Sequence, residues 1–353
     1  MKSIILIPLV AVILIAGSFS ALAERPTCNR FDAFWDNNSA AFAVNGTDAT
    51  MNGIIDGTTP GVVAALLRDH PAVDTIILDY VPGSDNDSAN VNAAQMIRAA
   101  GLNTHIKNNG VVSSGGVDFF LAGVNRTIDA GVCEVGVHSW AGGGIANPAA
   151  LPRSSVEHLL YLRYYRRMGI DEEFYFFTLN AASANNIYNM DDTDIASFGM
   201  TGAAVVFAPE RPDIRIGKSG NSSRQAGNNQ YSNSGKRQTL KVQLKKTRPA
   251  KFNLTIENDS NAYDYMKFKS SRAGRSLRMT VFRTSGRRKN ITGSVAKSGF
   301  LIPSVNPGEL AKFQVLIKNA SSQKKGRQNF KFTGSSSLTG SKKDVAVAKV
   351  SSR

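Results

Sequence analysis

A serine pair and a histidine are the residues in this chain whose chemistry could amount to more than structure. Ser113 and Ser114 sit in a small-residue turn, Ser-Ser-Gly-Gly, before an apolar run, and His138 closes a second apolar run. A serine hydroxyl becomes a nucleophile only with a base nearby, and imidazole titrates in the range that suits that work near neutrality. Glycines at 115 and 116 let the backbone approach a bound group closely. Amides that open the following helix would point outward at the positive end of its dipole, which is what an oxyanion needs. The bland alternative is a turn that packs a helix onto a sheet beside a satisfied core histidine. The Gly-x-Ser-x-Gly elbow of classical α/β-hydrolases is not matched, because Val112 stands where its first glycine belongs. His70 lies beside Pro71, His105 inside a strand and His158 on a basic helix, and none has a setting like that of His138.

The elements around these residues alternate. A strand near residues 40–44 turns at Asn45-Gly46, and residues 51–55 read as a further strand. Thr58 or Thr59 caps a helix with Pro60 in its first turn. The run 75–80 is a short apolar strand, 81–84 a tight turn, and 85–100 a helix stopped by Gly101. A strand at 104–106, a turn at Asn109-Gly110, a helix over 117–122 and strands at 126–128 and 134–138 come next. Strand and helix alternating in this way are the mark of crossover units and a largely parallel sheet. A long helix over 155–168, helices over 172–180 and 192–198, and a closing strand over 203–207 complete this half.

The 353 residues suffice for two domains. Residues 1–23 read as a cleaved signal peptide: Lys2, an apolar run over 4–17, then Ala21-Leu22-Ala23. The mature protein is therefore expected in the periplasm or outside the cell. Cys28 and Cys133 are the only cysteines, and an exported protein permits one disulfide between them. Two cysteines among scattered histidines show no metal-ligand spacing, so neither metal nor organic cofactor is expected. The net charge of +15 hides a split: residues 1–210 hold 11 Lys and Arg against 21 Asp and Glu, and residues 211–353 hold 31 against 6. So asymmetric a field points to two domains with different partners.

Ser114-Gly-Gly-Val-Asp-Phe-Phe-Leu-Ala-Gly123 resembles the nucleophile helix of Clp-type serine peptidases. Glu134-Val-Gly-Val-His138, followed by Gly142-Gly143, resembles that family's histidine strand. Pro82-Gly83-Ser84 stands at its oxyanion strand, and Asp194-Ile-Ala-Ser-Phe-Gly199 resembles its closing helix. The resemblance covers roughly residues 50–207 and extends to the wider Clp/crotonase superfamily. It implies an α/β fold of the ββα superhelix kind over 24–209. It implies Ser114 as nucleophile and His138 as base, with backbone amides of Ser84 (or Gly83) and Gly115 holding the oxyanion. The substrate would be a peptide, amide or ester. A homo-oligomer is expected, and no ATPase partner outside the cytoplasm. The family's third triad residue, an Asp, should fall near Ser183, where the chain reads Ala-Ala-Ser-Ala-Asn-Asn. Asn185 or Asn186 would have to orient the histidine, since Asp191 and Asp192 read as helix caps. A fold that has lost its triad and only binds is the alternative function.

Residues 210–245 are polar and rich in Gly, Asn and Ser, and read as a basic linker. Beyond it, over 246–353, short alternating segments separated by turns suggest an all-β sandwich. Phe252-Asn-Leu-Thr-Ile-Glu-Asn258 and Phe313-Gln-Val-Leu-Ile-Lys-Asn319 resemble immunoglobulin-like modules of secreted bacterial proteins. Arg287-Arg288-Lys289 and Lys324-Lys325-Gly-Arg327 are dense basic clusters. An anionic envelope polymer or glycan is the partner such charge would favour.

Overall fold

The computed structural model describes residues 30–245, 248–321, 326–338 and 342–352. The expected signal peptide, Cys28, Lys324 and Lys325 lie outside the described residues. Cys133 is disulfide-bonded. Among the described residues, no helix is long and apolar enough to cross a membrane.

The first half is a mixed α/β unit. It comprises β1 (Ala41–Asn45), β2 (Asp48–Asn52), α1 (Thr59–Asp69), β3 (Thr75–Val81), α2 (Asp87–Ala99) and β4 (Asn103–Ser113). There follow α3 (Gly115–Leu121), β5 (Asn125–Ile128), β6 (Glu134–Val137), α4 (Leu159–Met168), α5 (Glu172–Ala181), β7 (Tyr188–Asn189), α6 (Asp192–Ser197) and β8 (Gly202–Ala203). Strands β2, β3, β4 and β5 are successive parallel neighbours, so spatial order follows sequence order. That is the arrangement helical crossovers impose. Helix α1 packs on α2, and α2 on α3.

Two elements differ from expectation. Asn109-Gly110 does not end a strand. Asn109 takes a φ of 59°, and the register against β3 slips there while β4 runs on to Ser113. The irregularity divides the partners of β4: its first half pairs with β5 and its last three residues with β6. A bulge re-aims a strand in this way, and here it carries the chain to Ser114. The closing strand shrinks to Gly202 and Ala203, because β5 is short and offers only Asn125 and Arg126 as partners.

The second half holds two five-stranded sheets. Its elements are β9 (Pro212–Gly217), β10 (Thr239–Leu244), β11 (Ala250–Asn258), β12 (Asp264–Ser270), β13 (Leu277–Arg283) and β14 (Lys289–Asn290). Then come α7 (Thr292–Ala296), β15 (Phe300–Val305), β16 (Leu310–Asn319), β17 (Arg327–Ser336) and β18 (Lys343–Ser352). One core, with Phe252, Phe313 and Val281 from one sheet and Phe268, Phe330 and Phe332 from the other, joins them.

Residues 210–245 are not a free linker. Strand β9 is buried along its length and pairs with β11, and β10 pairs in parallel with β18. Between them, the buried Asp344 carboxylate accepts from the Ile214 amide (2.9 Å), the Ser232 amide (2.5 Å) and Gln238 Nε2 (2.6 Å). One carboxylate thus satisfies two backbone amides and a side chain in a stretch whose composition imitates disorder.

Candidate active site

The site forms where β4 and β6 end side by side. Ser113 lies level with Gly136 in the parallel register, so both chains leave the sheet at the same height. Ser114 is the hinge between β4 and α3, held by its amide's hydrogen bond to the Gly136 carbonyl at 2.8 Å. Its backbone sits at φ 52°, ψ −125°. For a residue with a side chain this region is costly, and such strain persists where the surroundings fix it. The result brings the two residues together: His138 Nε2 lies 2.8 Å from Ser114 Oγ. Ser113 turns the other way and donates its hydroxyl to the Glu134 carboxylate.

The loop after β3 closes over the serine. A Cβ built on Gly83 would stand 3.3 Å from Ser114 Cβ. One on Gly115 would fall 2.6 Å from Ser84 Cβ, and one on Gly116 would fall 2.4 Å from the Val81 carbonyl. Only glycine permits α3 to sit this close to β3. Among the described residues, neither the Ser84 nor the Gly115 amide has a hydrogen-bond acceptor.

The far side of His138 is different. Its Nδ1 is buried and has no hydrogen-bond partner among the described residues. Asn185 lines the same cavity but makes no hydrogen bond to the imidazole, so the expected orienting role is not met. Asn186 donates instead to Ser183 Oγ at 2.9 Å. Asp191 caps α6 by accepting from the Asp194 amide at 2.8 Å.

Ser114 and His138 open onto a cavity of about 360 Å³. Asp85, Asp87 and Asp118 line it together with Trp140, Tyr161, Tyr165 and Tyr175. The hydroxyl of Tyr165 donates to Asp118 Oδ1 at 2.5 Å. Burial pushes the Asp118 carboxyl up to about 7, against the pull of that hydrogen bond and with a further push from Asp87. The aromatic wall is locked from behind. Trp140 Nε1 donates to the Tyr175 hydroxyl at 2.9 Å, and that hydroxyl lies 2.8 Å from His158 Nδ1. His158 is thus a buried member of the wall, with burial holding its pKa below the usual imidazole value. Sequence reasoning missed this wall. The signals were the four-residue spacings of Tyr161 from Tyr165 and of Ser114 from Asp118, which put each pair on one helix face.

No family model matches the sequence, and no curated protein matches it. Among solved structures the chain is similar to the N-terminal domain of PorA, at 12% identity over 40% of this chain and 98% of that one, TM-score 0.27. It is similar to a membrane-bound stomatin-specific protease in complex with a substrate peptide, at 13% identity over 42% of this chain and 71% of that one, TM-score 0.27. It is also similar to the secreted serine protease VesC from Vibrio cholerae, at 11% identity over 44% of this chain, TM-score 0.21; the chain covers 31% of that protein. The structural neighbours therefore include a stomatin-specific protease and a secreted serine protease, and so distant a likeness leaves the site's own geometry to carry the function.

Proposed function

We propose that residues 24–209 form an exported, Clp/crotonase-like serine hydrolase that cleaves a peptide, amide or ester with a Ser114–His138 dyad. The observation that carries the reading is the 2.8 Å approach of His138 Nε2 to a Ser114 held in a strained backbone conformation. His138 Nε2 takes the hydroxyl proton as Ser114 Oγ bonds to the carbonyl carbon. The charge that develops on the carbonyl oxygen meets the amides of Ser84 and Gly115. The bond to the leaving group then breaks, and His138 returns the proton to the departing amine or alcohol. Water repeats both transfers, releases the acid and restores Ser114.

The unpartnered Nδ1 favours a second reading, in which the fold binds a ligand and no longer turns over. Labelling with a fluorophosphonate separates the two. The wild type is expected to label at one site, and Ser114→Ala to lose it. A folded wild type that does not label at Ser114 would leave only the binding reading.

The two-sheet unit is read as an immunoglobulin-like module that attaches the enzyme to an anionic envelope polymer. Like charges face each other across its strands, Arg278 against Lys318 and Lys241 against Lys349. Such pairs are unfavourable by themselves and become favourable against a polyanion. Retention on immobilised heparin, used as the probe, is expected to weaken at least tenfold between about 50 and 200 mM salt. Retention that ignores salt would overturn the electrostatic account.

A further inference from the structure

The cavity beside Ser114 combines two features that the attack on a carbonyl does not require. Carboxylates stand at both ends: Asp85 and Asp87 are exposed at its mouth, and Asp118 is 8% exposed within it. Aromatic rings line the wall between them. Tyr161 is stacked on Tyr175 at 5.4 Å and 16°, and on Trp140 at 6.4 Å and 18°. Among the described residues, no lysine or arginine lines the cavity.

Helix-dipole complementarity explains an acid in the first turn of α2 or α3. It does not explain why Asp118 is buried against the cavity. Only its Oδ1 is engaged, by the Tyr165 hydroxyl, and its Oδ2 has no hydrogen bond among the described residues. A buried carboxyl without a cation is costly, and Asp87 adds repulsion to it. A cation between them relieves both costs. Aromatic faces attract the same charge, more strongly where water is excluded.

We propose that this cavity is a specificity pocket for a cationic side chain, that of lysine or arginine, flanking the bond that Ser114 attacks. The inference rests on the hydrolase reading. Asp118 lies one helical turn from Ser114, about 5.4 Å along the axis. The four-carbon stem of lysine covers that span and leaves its ammonium between Asp118 and the rings. The cavity's volume falls within the range of small ligand sites, about 300–1,000 Å³. Asp118 is the specificity-determining residue, and it does not touch the reacting atoms.

Its titration gives the pocket a pH dependence. The groups that face Asp118 are Tyr161, Tyr164 and Tyr165 from α4, Asp87 from α2 and Tyr175 from α5, with His138 across the cavity. Burial keeps the tyrosines neutral throughout the working range. The preference for a cation therefore strengthens as pH rises through about 7 and Asp118 ionises. Effects on the attack itself are common to both probes and cancel in a ratio of two substrates.

The test uses the full chain and peptidyl diphenyl phosphonates that differ only in one side chain, lysine or norleucine. Fluorophosphonate labelling of Ser114 runs alongside. The lysine probe is expected to label at least tenfold faster at pH 8, with the ratio falling several-fold at pH 5.5. Asp118→Asn keeps an acceptor for Tyr165 and is expected to bring the ratio close to one. Labelling by the fluorophosphonate with no lysine preference overturns the pocket assignment and leaves the hydrolase standing. A preference that survives in Asp118→Asn and does not change with pH overturns it as well. No labelling of Ser114 by any probe overturns the hydrolase and the pocket together. If Asp118→Asn does not fold, the wild-type pH series decides the matter alone.

Discussion

Replacing His138 by alanine is expected to slow acylation of Ser114 by about 10²–10⁴-fold, the range general-base catalysis supplies. The imidazole is the group hydrogen-bonded to the nucleophile. Asp118, the nearest buried carboxyl on α3, is already held by Tyr165. Among the described residues, Ser114 Oγ has no other hydrogen-bond partner. The fold, by contrast, should tolerate the change, because Nδ1 has no partner to lose. The measurement is the second-order rate of fluorophosphonate labelling at pH 8, with a thermal melt as the folding control. Free imidazole should restore part of the rate by filling the space the side chain leaves. A folded His138→Ala protein that labels within about threefold of wild type would remove histidine from the mechanism. The size of the loss also reports on the missing third residue. Where a carboxylate holds the histidine in one tautomer, each member of the unit is nearly indispensable. A dyad whose Nδ1 goes unheld has less to lose, so the low part of the range is the expected one.

The Ser114–His138 pair was legible in the sequence because its placement is local. An apolar strand, a serine, two glycines and an apolar turn fix a strand-to-helix hinge within ten residues. The parallel pairing of β4 with β6 then brings the histidine alongside. The absence of an acid near Ser183 was equally legible, and among the described residues His138 Nδ1 has no hydrogen-bond partner. The cavity was not legible. Its wall comes from α4 and α5, whose position depends on how those helices dock, and no sequence period reports docking. The strand β9 was hidden for another reason. Pro212-Asp-Ile-Arg-Ile-Gly217 does alternate, but the Gly, Asn and Ser residues around it drown a six-residue signal. The polar stretch is ordered by strand pairing and by a buried carboxylate, Asp344, more than a hundred residues away in the chain.

Arg166→Ala is expected to cost about 3–5 kcal/mol of stability, the range for breaking a buried, hydrogen-bonded charge pair. Arg166 is a residue of α4 that is only 4% exposed. Its Nε lies 3.1 Å from Glu210 Oε1, and its terminal nitrogens donate to the carbonyls of Ala208 (3.3 Å) and Tyr263 and to Ser260 Oγ (3.4 Å). One guanidinium therefore ties the first unit, the connecting chain and the two-sheet unit together. Alanine leaves the Tyr263 and Ala208 carbonyls short of donors in a buried place. Lysine keeps the charge but not the planar fork, so Arg166→Lys should recover only a small part. Two further contacts make the same junction: Tyr265 donates to Glu172 Oε2 at 2.7 Å, and Ser304 donates to Oε1. Tyr263, Tyr265 and Leu338 belong to the core of the first unit, so the halves should unfold as one in urea. Arg166→Ala is expected to lower the midpoint and to split the transition in two. An unchanged midpoint with a single transition would show the junction to be energetically idle. The consequence reaches the site, because α4 also carries Tyr161 and Tyr165. The two-sheet unit thus braces the helix that forms the wall of the cavity.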